Sequence, residues 1–376
     1  MPERKPFAIY AITVHGIGIG ARLRDALPGA DLYVSEKLFS RAPEGALPLP
    51  LPLSPTLARG FAAYHCHVFV ISVGAVVRMI APLLADKKQD PAVVCVDDAA
   101  RFAICVLSGH VGRGNAFTDR VAAALGSTSV VTTASDVRGT FTVDILGREL
   151  GWTLDDPDRN VTRGCAAVVN EAPVLFVQET GEPSFWPPAK PLPPGVGYAR
   201  SLDGVDPRAF EMLLVVSDRD LRETHRAHFD NAVVYRPKSL VLGIGCDRGT
   251  SLDLLERGVE TLLTRHGLSA KSVKEVATID KKADEHGLLA LCERRRWPLR
   301  TFTAEELDRV AVPTPSETVR RHVGTRGVCE PAALLASGAA RLLVEKQVYT
   351  EPDAGRSMTL SVARIPFPSR SEVPDA

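Results

Sequence analysis

The sequence predicts the α/β class: two α/β domains joined by a proline-rich middle segment. Three observations lead there. Short Val/Ile/Leu runs alternate with Gly-punctuated helical stretches at both ends of the chain. Six prolines crowd into residues 183–197, where missing N–H donors and fixed φ favour a loop or linker. The 376 residues suggest two or three domains at about 150 residues each. The expected boundaries are 1–147, 148–237 and 238–365.

In the first region, Ala8–Val14 reads as a strand, followed by a Gly-rich turn and a helix through Leu27. Val68–Val73 is a second strand. Ala92–Val96 and Phe102–Leu107 read as a hairpin about Asp97–Ala99. Helix Ala116–Leu125 and strand Ser129–Thr133 follow. The middle region has short strands at Val174–Gln178 and Met212–Val216, which suggest a small subdomain. The last region opens with strand Ser239–Gly245. Helix Leu252–Arg265 follows, with Leu252, Leu255, Val259 and Leu262 at helical spacing. Val273–Thr278, Leu299–Phe302, Arg341–Val344 and Met358–Ala363 read as strands. Gly287–Arg295, Ala304–Val310 and Ala332–Ser337 read as helices. The tail after Arg364 is expected to be disordered.

Lys plus Arg and Asp plus Glu both number 45, so there is no global electrostatic footprint for nucleic acid or an anionic membrane. No apolar run reaches the roughly 18 residues of a membrane helix. The seven cysteines are scattered without a C-x-x-C, so neither a disulfide framework nor a zinc ribbon is indicated. A cytoplasmic protein without nucleic-acid or membrane partners is expected.

Several segments carry chemistry. Gly16, Gly18 and Ala21, with Glu36 further on, fit the outline of a dinucleotide fingerprint. A tight strand-to-helix turn explains the same glycines, and Pro43–Pro55 interrupts the unit that should follow. Ser108-Gly109-His110-Val111-Gly112-Arg113-Gly114-Asn115 is richer. Its glycines permit close backbone approach, and helix-entry amides can hold an oxyanion. His110 titrates near neutrality, as acid–base work requires. Asp136, in Thr132-Thr133-Ala134-Ser135-Asp136 after a strand, either faces the same crevice or serves an Asx turn or helix cap, and the residues fit both equally. Arg78 stands in an apolar run, and Lys87 in a charged loop. Gly243-Ile244-Gly245-Cys246-Asp247 forms a second Gly-rich turn with anion-binding character but no Walker ending. His65 and His67 share a strand face, yet two imidazoles without a third ligand make no metal site.

The runs Val76–Leu83, Asp86-Lys87, Asp90–Val94, Leu107–His110, Asn115 and Thr132–Asp136 resemble the N-terminal domain of the CbiG family. Leu242–Cys246, Thr278–Lys282, Thr301–Glu305, Val323–Ala333 and Leu342–Lys346 resemble the CobE/CbiG C-terminal domain. The pieces match in order over nearly the whole chain, most weakly from Arg148 to Pro237. One departure is Gly112-Arg113-Gly114-Asn115, where the family carries Gly-Gly-Ala-Asn.

The resemblance implies hydrolysis of the δ-lactone of cobalt-precorrin-5A in cobalamin biosynthesis, with acetaldehyde leaving to give cobalt-precorrin-5B. His110 is then expected as the base, the Gly109–Gly114 amides as oxyanion donors, and Asp136 as the group orienting His110 or the water. Ser108 supplies a further hydroxyl. Arg78, Lys87, Arg113, Lys281 and Lys282 would meet the carboxylates of the macrocycle rim. Gly109, Gly112, Gly114, Asn115, Gly243, Gly245, Cys246 and Glu330 complete the expected binding set, with the macrocycle between the two domains. No cofactor and no protein-bound metal are expected, since cobalt arrives in the substrate. Neighbouring pathway enzymes and a second copy of the chain are the partners the resemblance leaves room for. Two other functions fit parts of the sequence: a carrier that holds a labile corrinoid without opening it, and a nicotinamide oxidoreductase.

Overall fold

The computed structural model describes residues 4–187, 190–351 and 355–368. The chain forms two compact units, Met1–Ile145 and Leu146–Ala376. The α/β class is as predicted from the sequence.

The first unit is built on a seven-stranded sheet. Its elements in chain order are β1 (Lys5–Ala11), α1 (Val14–Ala26), β2 (Ala30–Ser35), β3 (Leu47–Leu49), α2 (Ser54–Gly60), β4 (Tyr64–Val70), α3 (Val73–Ile80), β5 (Ala92–Val96), β6 (Phe102–Leu107), α4 (Gly114–Leu125), β7 (Thr128–Val130) and α5 (Ala134–Arg138). The strand order is β3-β2-β1-β4-β5-β6-β7. β6 runs antiparallel to β5, and β7 runs parallel to β6. The last two strands therefore point against the other five. β1 is apolar throughout its inner half because both faces are covered. Phe7 and Ile9 join the core under α1 and α4, whereas Ala8 and Tyr10 join the one under α2 and α3.

The Gly-rich turn expected after β1 is instead the body of α1. The Thr13 side chain accepts the Gly16 N–H at 2.9 Å, so the helix starts almost at once. Gly20 lets it lie close to β2, since a Cβ there would stand 2.6 Å from Leu32 Cδ1. Gly16 and Gly20 are buried within the helix and Gly18 lies on its exposed face, so the dinucleotide fingerprint loses its turn. His67 is fully buried: its ring stacks on Tyr10 and Phe61, and its nitrogens bond Tyr10 Oη and Phe61 O.

The second unit carries two five-stranded sheets. The first comprises β8 (Thr153–Leu154), β9 (Val174–Gln178), β10 (Val196–Ala199), β11 (Met212–Val216) and β12 (Ala232–Arg236), in the order β10-β9-β11-β12-β8. Pro183, Pro187, Pro191, Pro193 and Pro194 lie in the connection from β9 to β10, inside this sheet domain, and Pro188 lies outside the described residues. The second comprises β13 (Leu240–Cys246), β14 (Val273–Ile279), β15 (Leu299–Phe302), β16 (Val344–Thr350) and β17 (Ser357–Arg364), in the order β15-β14-β13-β17-β16. Helix Leu252–Arg265 has the bounds its periodicity predicts, and Leu255, Val259 and Leu262 are buried. The strand expected at Arg341–Val344 begins only at Val344 and pairs antiparallel with β17. β17 ends at Arg364, residues 365–368 follow without helix or strand, and residues 369–376 of the tail expected to be disordered lie outside the described residues.

Polar ties join the two sheets of this unit. Asp218 accepts from Ser239 Oγ at 2.8 Å and from two nitrogens of Arg364 at 2.7 Å. Within the first of these sheets, the fully buried Arg236 donates to Asp155 at 2.9 Å and to Ser217 O at 2.9 Å.

Candidate functional site

β6 ends at Leu107, and the chain turns into α4 through a loop that folds back on itself. Gly114 N donates to Ser108 O at 2.8 Å, Asn115 N to Gly109 O at 3.0 Å, and Arg113 N to His110 O at 2.9 Å. Ser108 and Arg113 both take positive φ, 56° and 62°. Two glycines make this closure sterically feasible. A Cβ on Gly112 would lie 2.5 Å from Ser108 Cβ, and one on Gly114 would lie 2.6 Å from Leu107 O. The expected oxyanion role of the Gly109–Gly114 amides is therefore corrected for Arg113 and Gly114, whose N–H groups are already bonded within the loop.

The loop holds His110 half-buried over the carboxyl ends of β6 and β7. Its Nε2 lies 2.8 Å from Asp136 Oδ2 and 3.1 Å from Ser135 Oγ. Its Nδ1 stands 3.4 Å from Asp144 Oδ1, an ion-pair distance longer than a formed hydrogen bond. Asp136 Oδ2 also accepts from Thr133 Oγ1 at 2.6 Å and from Asn115 Nδ2 at 2.9 Å. Burial works to raise the Asp136 pKa, but the bonds from Thr133, His110 and Asn115 outweigh it and hold the carboxyl below its ordinary value. The His110 pKa is raised, chiefly by Asp144, against burial and with help from Asp136.

The structure thus brings His110, Asp136 and Asn115 together. Ser108 is elsewhere in function: its hydroxyl donates to Asp90 O at 3.1 Å and anchors the loop to the start of β5. Ser135, Thr133 and Asp144 complete the cluster and were not expected as site residues. Asp144 had a readable signal, a lone carboxylate between Val143 and Ile145 in a run whose Phe141 and Val143 are buried. Arg78 on α3 and Lys87 before β5 are exposed, and neither forms an ion pair among the described residues.

In the second unit, a cavity of about 540 Å³ opens at the carboxyl ends of β13 and β14. Gly245, Cys246, Lys281 and Lys282 line it, together with Arg248 and Lys346. Lys281 Nζ donates to Val323 O at 3.0 Å, and Lys282 Nζ lies 3.3 Å from Glu285. Burial pushes the Cys246 thiol pKa up, which argues for an inert sulfur rather than an activated one. Two residues expected as ligand contacts belong to the framework instead. A Cβ on Gly243 would stand 1.9 Å from Cys329 O, so this glycine seats the helix that starts at Cys329. Glu330 is buried and accepts from Thr314 N at 3.2 Å and Lys346 N at 2.9 Å.

Among the described residues, no group of three or more His, Cys, Asp or Glu side chains is placed to hold a metal ion. No described helix is long and apolar enough to cross a membrane.

Three family models match the chain in succession. They are Cobalamin synthesis G N-terminal over residues 55–136, Cobalamin biosynthesis central region over 141–237, and Cobalamin synthesis G C-terminus over 240–363. A Priestia megaterium protein named Cobalt-precorrin-5A hydrolase is 41% identical over 372 residues, 97% of this chain and 96% of that one. A Salmonella typhimurium protein of the same name is 32% identical over 362 residues, 95% of this chain and 97% of that one. Protein CobE from Sinorhizobium sp is 32% identical over 113 residues, 30% of this chain and 73% of that protein.

Proposed function

The chain belongs to the cobalamin synthesis G family, and on that premise we propose that it hydrolyses the δ-lactone of cobalt-precorrin-5A. Acetaldehyde leaves and cobalt-precorrin-5B is the product. The cobalt is part of the substrate, and the reaction needs water and proton transfer from the protein, with no further cofactor.

The observation that carries the reading is the 2.8 Å contact between His110 and Asp136 at paired strand ends. Opening an ester needs a proton for the departing alcohol oxygen and polarisation of the acyl carbon. Expelling the aldehyde then needs removal of the alcohol proton as the carbon–carbon bond breaks, its electron pair passing to the conjugated macrocycle. A titratable imidazole fixed by carboxylates suits both demands. We assign proton handling to His110 with Asp136.

The substrate is a flat, apolar ring with carboxylates on its rim. Arg78, Lys87 and Arg113 offer such cations in the first unit, and Lys281 and Lys282 offer them in the cavity of the second. The apolar walls beside Lys281, which include Ile279 and Val328, suit the ring face. We place the activity in the cytoplasm.

The test mixes purified protein with enzymatically generated cobalt-precorrin-5A and follows mass and acetaldehyde together. Aldehyde beyond one equivalent per chain, with the matching mass loss, supports a hydrolase. Stoichiometric retention of intact lactone without aldehyde would make the protein a carrier.

A further inference from the structure

We propose that His110 enters the reaction as an imidazolium, clamped between Asp136 and Asp144, so that it is a proton donor first and a base only afterwards. Asp144 is the positioning residue of this device. The inference rests on the hydrolase reading and specifies the chemistry of that site.

The argument is geometric. An ionised carboxylate has acceptors and no proton to give, so a ring nitrogen that faces one must carry the hydrogen. His110 faces Asp136 Oδ2 from Nε2 at 2.8 Å and Asp144 Oδ1 from Nδ1 at 3.4 Å. With both carboxylates ionised, both nitrogens carry hydrogen, and the ring has no lone pair with which to activate water. The surrounding groups reinforce this. Thr133 and Asn115 donate to Asp136 and keep it an acceptor, and Asn115 Nδ2 also supports Thr133 Oγ1 at 2.8 Å. Ser135 from α5 adds an oxygen at 3.1 Å from Nε2. Cys105 of β6 is a further titratable group that senses Asp136, and its pKa is raised, by burial first and by Asp136 among lesser causes. Among the described residues, Asp144 Oδ1 is buried without a hydrogen-bond partner, and the His110 ring faces it from Nδ1 at 3.4 Å.

The proton balance closes in two steps. Water adds to the acyl carbon and its protons pass to solvent as the carboxylate forms. The acyl–oxygen bond breaks, and the alcohol oxygen takes the proton of His110. The ring is now neutral. It removes that same proton as the carbon–oxygen double bond of acetaldehyde forms, while the bond to the macrocycle breaks and its electron pair stays on the ring system. His110 is an imidazolium again, ready for the next substrate.

Two readouts test this. In ¹⁵N-histidine-labelled protein, with the His110 signals assigned by their loss in His110→Gln, both ring nitrogens should show N–H resonances at neutral pH. Asp144→Asn should move the titration of His110 to lower pH. The alkaline limb of kcat for acetaldehyde release should move with it, so that kcat falls about tenfold more at pH 8 than at pH 6, with KM unchanged. Asp144→Glu should restore the limb. A His110 that titrates at or below an ordinary histidine in the parent protein overturns the proposal. So does an Asp144→Asn variant that loses kcat equally at every pH with the titration unmoved. Absence of aldehyde from the parent protein would instead overturn the hydrolase reading, while the spectra still report the charge on His110.

Discussion

Asp218 and Arg364 stand 146 residues apart and meet through two bonds of 2.7 Å, from Nε and Nη2 to the two carboxylate oxygens. Asp218 follows β11 of one sheet, and Arg364 ends β17 of the other. The Asp218 side chain is 1% exposed, so removing its partners strands a charge. Because the Arg364 side chain is 37% exposed, the loss is smaller than for a wholly buried pair. Arg364→Ala should cost the second unit about 2 kcal/mol. Trp152, Trp186 and Trp297 all lie in this unit, so tryptophan fluorescence in urea reads its transition directly. An unchanged midpoint would mean that the pair does not join the sheets.

His67 sets an acid limit on the first unit. Burial holds its pKa down at about 4, from an ordinary 6.5. The folded protein keeps the ring neutral while the unfolded chain takes up a proton, so stability falls as pH drops below about 6.5 and levels off below about 4. The loss amounts to about 3 kcal/mol. His110 acts in the opposite sense: its raised pKa gives stability that is complete below about 6.5 and is lost as pH rises through the folded value. Hydrogen exchange of β1 and β4, corrected for intrinsic rates, should show the acid loss. A flat profile from pH 6.5 to 4.5 would refute it.

Two glycine substitutions should part company. Gly18 is exposed within α1 and has open space where a Cβ would go. Gly18→Ala should therefore stabilise the first unit by about 0.5–1 kcal/mol. Gly243→Ala forces a Cβ onto Cys329 O and should cost the second unit at least about 3 kcal/mol. Thermal unfolding of the two variants checks both signs.

Asp136→Asn keeps the shape of the site but removes the charge facing Nε2, and kcat for aldehyde release should fall by about 100-fold or more. Ser108→Ala loses only the anchor to Asp90 O, and kcat should stay within about threefold of the parent. A Ser108 variant as damaged as the Asp136 variant would return the serine to the chemistry.

Lys281→Met should raise KM about tenfold with kcat nearly unchanged, the signature of lost uniform binding. Lys281 is the better test than Lys282, whose ammonium lies near the buried Glu285. Steady-state kinetics at two salt concentrations would show the salt dependence shrinking with the lysine.

Residues whose neighbours are local were legible in the sequence. The apolar stripe of 252–265 and the doubly covered strand Ala92–Val96 announced their elements through period and composition alone. His110 and Asp136 were recognisable because each follows closely after a strand in a segment dense with small and polar residues. Other features depend on contacts made only after folding. Gly16, Gly18 and Gly20 look like a turn until Thr13 caps the helix and Leu32 packs on it. Asp144 reaches His110 from 34 residues away along an unpatterned stretch. Ser108, Gly243 and Glu330 look like ligand groups until Asp90, Cys329 and Thr314 are found against them.

The reversal of β6 and β7 has its own consequence. A wholly parallel sheet has one productive rim, and every loop there competes for the same space. Here strand termini of the productive kind occur at both rims of one sheet, and the acid–base loop occupies the rim opposite the start of α1. The first rim, around Thr13 and Asp98, is thereby released from the demands of the reaction. Sequence there can drift, lengthen or acquire a new task without disturbing the proton chemistry on the far side.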